Sequence, residues 1–305
     1  MGRFTKGIIP WNKGIGLNKK CETCSKEFYI SLSRHNDKRG RFCNIKCRRG
    51  YFLKKSREYI LNNDMAELIG VIIGDGCICK NSKNIKSKSY KIFISGNPIE
   101  DKIYMEEYLP KLIKKCLNKK CRPRLAQNGA LIIAFENEAF RLFLKNLGIK
   151  ERKARNVKIP KPILKDRALL ARCIRGIADT DFTLIFTKKH TNKNCYPRIS
   201  AQFASFRLVK DLEKTLRRMD FTLNTRYNMK IKDPRGYSWI TNQINLEGPN
   251  NLKRWLNLIG FSNQRIITRY KVWKKYGYLK PKTTLPQRLR LISLGGGDVR
   301  WAKQL

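Results

Sequence analysis

The densest apolar stretch of the chain is Leu68-Ile-Gly-Val-Ile-Ile73, and it directly follows Asp64-Met-Ala-Glu67. An aspartate with a glutamate three residues later, just ahead of an apolar run, has the form of a capping box, so a helix is predicted to open at Asp64 and run into Gly74-Asp75-Gly76. Strand-like stretches follow at Cys77 to Lys80 and Tyr90 to Ser95. An amphipathic helix is then expected from about Pro98 to Leu117, because Ile103, Leu109, Leu112, Ile113 and Leu117 recur at roughly helical spacing. A second strand pair near Arg122 to Leu125 and Ala130 to Phe135 precedes a helix near Glu138 to Leu147. The stretch Lys150 to Pro162, rich in Lys, Arg and Pro, reads as a linker.

The same order then repeats. A helix ends at Ile174-Arg-Gly-Ile-Ala-Asp-Thr-Asp181, strands fit Thr183 to Thr187 and Arg198 to Ala204, and a helix fits Leu208 to Met219. Strands near Thr225 to Ile231 and Trp239 to Leu246 lead to a helix from about Asn250 to Leu258. Within the repeat, Phe140-Arg-Leu-Phe-Leu-Lys-Asn-Leu-Gly-Ile149 mirrors Leu252-Lys-Arg-Trp-Leu-Asn-Leu-Ile-Gly-Phe261. An α+β fold of two similar halves is implied, residues 61–155 and 156–278. A small module precedes them at 1–60, and a basic tail, 279–305, carries a candidate packing helix and Gly295-Gly-Gly297.

Asp75 ends the most apolar segment of a basic chain, and Asp181 stands in the equivalent place 106 residues later. Gly70 and Gly176 each lie five residues before their aspartate. Small residues on a helix face let a second helix approach closely, so the two helices could pack together and join their C-terminal ends. Two carboxylates meeting there repel unless a cation lies between them, and a hard divalent ion with oxygen ligands, Mg²⁺ above all, fits such a site. It could activate a water and stabilise a scissile phosphate. The bland alternative is that each Asp is a turn residue after a buried helix, as Asp75-Gly76 would allow. The matched register of glycine and aspartate in both halves weighs against turn preference alone.

Leu68-Ile-Gly-Val-Ile-Ile-Gly-Asp-Gly76 and Ile174-Arg-Gly-Ile-Ala-Asp-Thr-Asp-Phe182 resemble the two motifs of a single-chain LAGLIDADG homing endonuclease, and the likeness runs through roughly residues 64 to 275. That resemblance implies two αββαββα units whose motif helices pack at a pseudo-twofold axis and whose saddle-shaped antiparallel sheets grip the major groove of double-stranded DNA. It makes Asp75 and Asp181 the metal-binding catalytic acids, one per strand, with the carbonyls of Gly74 and Thr180 as further ligands. It also implies a monomer, intron-encoded, with basic or polar groups near the metals; Lys150, Lys153, Gln202 and Arg265 are the candidates. The second motif departs from the family pattern in having Phe182 where glycine is usual, which raises the question of a degenerate second site.

Charge sharpens this picture. The 305 residues carry 67 Lys and Arg against 23 Asp and Glu, a formal net charge of +44, with 41% hydrophobic content. A chain so basic yet able to build a core calls for a polyanion partner, whose condensed counterions are released on binding. Leu68–Ile73 is far too short to span a bilayer, and the N-terminal Met-Gly-Arg-Phe-Thr-Lys lacks a signal-peptide core, so no membrane role is expected. A soluble intracellular protein follows, in a prokaryotic cytoplasm or in the organelle or nucleus of a eukaryote. With His35 and His190 as the only histidines, a histidine-based nuclease is nearly excluded. The ends, Met1-Gly2 and Lys303-Gln-Leu305, lack the nucleophile and His-Asn pair of self-splicing, so a free-standing enzyme is expected. Two other readings of the same fold stay open: an RNA-binding maturase acting on its own intron, and a DNA-binding protein with inactive acids.

Residues 1–60 hold four of the ten cysteines and 16 Lys and Arg against four Asp and Glu. Cys21 and Cys24 form a C-x-x-C pair, and Cys43 and Cys47 a C-x-x-x-C pair, which together supply the four ligands of a closed tetrahedral Zn²⁺ site. His35 is read as an exposed loop residue. The segment also resembles small zinc modules at the ends of mobile-intron endonucleases, with Gly2-Arg-Phe-Thr-Lys-Gly7 and Pro10-Trp-Asn-Lys-Gly14 as short basic motifs. Cys77, Cys79, Cys116, Cys121, Cys173 and Cys195 show no complementary spacing and read as buried or incidental.

Overall fold

The computed structural model describes residues 16–36, 40–80, 90–151, 153–189 and 191–294. The basic motifs at Gly2–Gly7 and Pro10–Gly14, Arg39, His190 and Gly295-Gly-Gly297 lie outside the described residues. The chain divides into two compact units, residues 1–59 and 60–305.

In the first unit, β1 (Gly16–Lys20) pairs antiparallel with β2 (Glu27–Ser31), and helices α1 (Leu32–Asn36) and α2 (Ile45–Arg57) follow. Asn44 caps α2 by accepting a hydrogen bond from the Cys47 amide at 2.9 Å. Cys21 and Ile30 are the buried apolar side chains of this unit among the described residues, too few to stabilise it by burial alone.

The second unit opens with α3 (Asn63–Ile73), β3 (Gly76–Lys80) and β4 (Tyr90–Gly96). A helix over 102–117 contains a π-helical turn at Tyr104–Tyr108 and ends as α4 (Leu109–Leu117). The turn stands just before Pro110, whose ring and missing N–H disrupt the ordinary hydrogen-bond ladder. Next come β5 (Arg124–Leu125), β6 (Leu131–Phe135), α5 (Glu138–Asn146), a 3₁₀ turn at Lys153–Arg155 and α6 (Lys161–Lys165). The series then recurs as α7 (Arg167–Asp181), β7 (Thr183–Thr187), β8 (Tyr196–Phe203), α8 (Phe206–Arg218), β9 (Leu223–Lys232), β10 (Ser238–Glu247) and α9 (Pro249–Leu258). Two more helices follow among the described residues, α10 (Gln264–Tyr276) and α11 (Leu285–Ser293).

The fold is α+β. Its two four-stranded sheets are antiparallel and share one strand order, β3-β4-β6-β5 and β7-β8-β10-β9, so the repeat seen in the sequence is a repeat of topology. In both sheets alternate residues are buried: Ile78, Ile92, Ile94, Ile133 and Phe135 in one, Leu184, Phe186, Ile199, Ala201, Ile244 and Leu246 in the other.

Four local expectations change. The cap of α3 is Asn62, whose side chain accepts from the Met65 amide at 2.9 Å. Asp64 instead pairs with Lys115 at 2.6 Å, and Glu67 is buried, accepting from Arg172 at 3.1 Å and from the Tyr108 hydroxyl. His35 is exposed but lies on α1, not in a loop. The Lys150–Pro162 stretch is no free linker, since Val157 and Ile159 are buried in the core. Finally, α10 has no counterpart in the predicted elements.

Helices α3 and α7 cross at their glycines, and the contact is reciprocal. A Cβ on Gly70 would stand 2.1 Å from the Cys173 carbonyl oxygen, and one on Gly176 would stand 2.1 Å from the Glu67 carbonyl oxygen. Backbone cannot yield as a flexible side chain can. Gly176→Ala should therefore lower stability by about 3 kcal/mol, the upper part of the usual overpacking range. In a unit of this size that corresponds to a melting temperature lowered by about 6–12 °C. Calorimetry checks it, and a shift of under about a degree would show that the crossing tolerates a side chain.

Candidate active site

The crossing of α3 and α7 brings their C-terminal ends together. A Cβ on Gly74 would lie 2.1 Å from the Asp181 Oδ2, so the end of α3 rests against the carboxylate that ends α7. Gly74 and Asp75 form the turn from α3 into β3, whereas α7 runs through Asp181 and passes almost directly into β7. This difference in exit accounts for the unlike residues that follow the acids. A Cβ on Gly76 would meet the Ile72 Cα at 2.5 Å, so glycine is required there. Phe182 has φ −84 and ψ 153, ordinary extended backbone, and its buried ring packs on Trp255 at 5.4 Å and Phe203 at 5.9 Å. Phe182 is thus a core residue of the second half.

Asp75 keeps an exposed edge, yet desolvation by the protein around it, followed by the charges of Asp181 and Asp101, pushes its carboxyl up to about 7. Burial also raises Asp181, against a hydrogen bond from Thr180 and the charges of Lys153 and Arg265. The Thr180 hydroxyl stands 2.9 Å from the Asp181 carboxylate. Carboxylates that feel each other's charge in this way favour a shared proton or a bound cation. Oxygen donors in this arrangement suit a hard divalent ion.

Each helix end also carries one basic side chain. Lys153 Nζ donates to the carbonyls of Ile73 at 2.6 Å and Gly74 at 3.0 Å. Arg265 donates to the carbonyls of Asp179 at 3.1 Å and Thr180 at 3.0 Å, and forms an ion pair with Asp101 at 3.0 Å. Of the four basic and polar candidates, Lys153 and Arg265 are therefore brought to the acids. Lys150 is exposed, and Gln202 lies on the open face of β8. The signal was present in the repeat: Lys153 and Arg265 each follow by five residues a glycine of positive φ, Gly148 and Gly260. Gly74 and Thr180, expected as carbonyl ligands, already accept from these cations, but a carbonyl oxygen has a second lone pair to offer.

Asp101 and Asp179 were not anticipated. Asp179 is fully buried and accepts from the amides of Ser262 at 2.9 Å and Asn263 at 3.0 Å, which anchors the start of α10 to α7. It reads as architecture.

Open faces of the second sheet continue outward from Asp181. Thr183, Ser200, Asn245 and Asn224 form one cross-strand row, and Gln202, Gln243 and Arg226 another. The β9–β10 hairpin extends past β8, since residues 238–241 pair with β9 alone, and it carries exposed Lys230, Lys232, Arg235, Tyr237, Trp239 and Ile240. The corresponding strand of the first half, β5, has two residues.

In the first unit the four cysteines predicted as ligands do meet. The sulfurs of Cys21, Cys24, Cys43 and Cys47 all lie within 4.8 Å of one another, with Cys24–Cys43 and Cys43–Cys47 each at 3.6 Å. A tetrahedral site with metal–sulfur bonds of about 2.3 Å has edges of about 3.8 Å, so the cluster has the dimensions of a closed thiolate site. Arg41 is held beside it by a two-pronged pair with Glu22, at 2.7 and 2.6 Å. All ten cysteines are free, Cys77 is exposed, and Cys173 is buried at the helix crossing. Among the described residues no helix is long and apolar enough to cross a membrane.

No family model matches the chain. Among curated proteins it is 28% identical over 219 residues to the Replication factor C small subunit of Methanocaldococcus jannaschii, a match covering 72% of this chain and 10% of that protein. The chain thus spans about a tenth of the length of the curated relative it matches. Among solved structures it is similar to I-DmoI in complex with DNA and Mn, with a TM-score of 0.46 and 14% identity over 66% of this chain and 98% of that one. It is also similar to the homing endonuclease I-WcaI bound to its DNA recognition sequence, with a TM-score of 0.44 and 17% identity over 75% of this chain and 92% of that one. A third is meganuclease I-SmaMI bound to uncleavable DNA, with a TM-score of 0.40 and 14% identity over 71% of this chain and 90% of that one.

Proposed function

We propose that this protein is a site-specific endonuclease that cuts both strands of a long double-stranded DNA target, using divalent metal at Asp75 and Asp181. The observation that carries the reading is the meeting of two desolvated carboxylates at paired helix ends, each end bracketed by a cation, in a chain of net charge +44. When bound there, a divalent ion such as Mg²⁺ supplies Lewis acidity toward a scissile phosphate and acidifies a water. Lys153 and Arg265 fix the terminal carbonyls of α3 and α7, which sets the aim of both carboxylates, and their charge favours an incoming phosphate. The cysteine cluster of the first unit takes Zn²⁺ as a structural ion, leaving no open position for chemistry.

The cross-strand rows supply the reading surface. Arg, Gln and Asn are the side chains that match base edges in the major groove, and their placement in register across β8, β10 and β9 offers several contacts per row. Cleavage of a library of randomised duplexes with Mg²⁺, followed by sequencing of the ends, tests the proposal. Recurrent cut sites support it. Absence of cutting together with tighter affinity for structured RNA than for DNA would replace it with the RNA-binding reading.

A second expectation concerns the hairpin. Replacing Lys230, Lys232 and Arg235 together by alanine should flatten the dependence of log affinity on log salt by about 2 to 3, at about 0.9 for each phosphate that is no longer neutralised, while the cut positions stay fixed. Titrations at several salt concentrations measure the slope. An unchanged slope would place the hairpin off the DNA.

A further inference from the structure

Helix α11 lies outside both repeated halves, yet it contains Arg288, which is completely buried. Its guanidinium forms an ion pair with Glu100 at 2.5 Å and donates to the Thr268 hydroxyl at 3.0 Å, to the Arg265 carbonyl at 3.3 Å and to the Thr283 carbonyl. Glu100 also accepts from the Leu285 amide at 2.7 Å, capping the start of α11. Its neighbour Asp101 pairs with Arg265 at 3.0 Å and accepts from Asn263 at 2.8 Å. Both carboxylates project from a tight loop after β4, in which Asn97 accepts from the amides of Ile99 and Glu100, each at 2.9 Å. One short loop of the first half thus grips two arginines, one on α10 and one on α11, and the first of these holds the end of α7.

We propose that Glu100 and Arg288 form a positioning clamp that sets Arg265 over the Asp179 and Thr180 carbonyls, so that α11 belongs to the Asp181 half of the site. The clamp rests on the reading of Asp75 and Asp181 given above. It makes the two halves unequal. Lys153 reaches its carbonyls from a 3₁₀ turn as a flexible point charge, whereas Arg265 is a planar fork fixed from two sides. Removing one member of a buried ion pair leaves the other uncompensated, so the effect should be felt at Arg265 first.

Strand-resolved nicking of a cleaved duplex by the full chain tests this. Glu100→Gln, which keeps the shape and the Leu285 cap, and Arg288→Lys, which keeps the charge, should each slow cutting of one strand by about tenfold or more and leave the other strand within about twofold. Equal slowing of both strands, or no slowing, overturns the clamp. Hydrogen exchange, measured without metal or DNA, gives a second readout. Exchange in Glu100→Gln should quicken at residues 262–268 and stay unchanged at 73–76. Should the wild-type protein cut no duplex, the endonuclease reading fails by itself, and the clamp is then decided by exchange alone: quickening confined to 262–268 supports it and unchanged exchange refutes it.

Discussion

Asp75→Asn and Asp181→Asn should each abolish double-strand cleavage, with a loss of about a thousandfold or more in the rate at which the strand served by that acid is cut. Asparagine keeps the size of the side chain and removes the charge that would hold a divalent ion. Loss of about 4 kcal/mol of transition-state stabilisation gives that factor, and metal ions acting as Lewis acids commonly contribute several. DNA affinity should hold or rise slightly, because a carboxylate facing a phosphate repels it. Cleavage assays and equilibrium binding on the same duplex separate the two effects. Wild-type cutting rates in either variant would remove the acids from the chemistry.

Stripping metal from the full chain should unfold residues 16–57 and leave residues 60–294 folded. With Cys21 and Ile30 as the buried apolar side chains described there, metal ligation at the four cysteines would supply most of the folding free energy of the first unit. Structural zinc in modules of this kind contributes about 10–16 kcal/mol at neutral pH, far more than so small a core could. Chelation should therefore abolish amide protection in the first unit, and Cys47→Ser should do the same without a chelator. Metal analysis should find about one zinc per chain. The DNA footprint should shorten while the cut positions remain, since Asp75 and Asp181 lie in the other unit. Protection that survives in metal-free protein would mean that the cysteine cluster is not what holds the unit together.

The duplication was legible because it is written in spacing. Gly70 and Gly176 stand five residues before Asp75 and Asp181, and Gly148 and Gly260 five before Lys153 and Arg265, so one register carried both the crossing and the flanking cations. Helix α10 escaped prediction because its buried face is partly polar. It buries Thr268 along with Ile266 and Val272 and shows no clean apolar stripe, whereas α11, which buries Leu285 and Leu291 around Arg288, fits the packing helix expected in the tail. The cap of α3 was misplaced for a related reason: Glu67 satisfies the capping pattern in sequence but spends its carboxylate on Arg172 and Tyr108, contacts made by residues far along the chain. Cysteine spacing identified the four sulfurs that meet, because two short-range pairs leave little freedom in how they can be joined.

The reciprocal glycine crossing has a consequence for how such a protein can change. The two helices approach through main-chain contacts, Gly70 against Cys173 and Gly176 against Glu67. Substitutions along the rows at Gln202, Gln243 and Arg226, or in the overhanging hairpin, can therefore accumulate without moving Asp75 relative to Asp181. On the endonuclease reading, target preference and cutting competence would be mechanically decoupled, so a lineage could drift to new sites through many intermediate sequences, each keeping the same spacing between its acids.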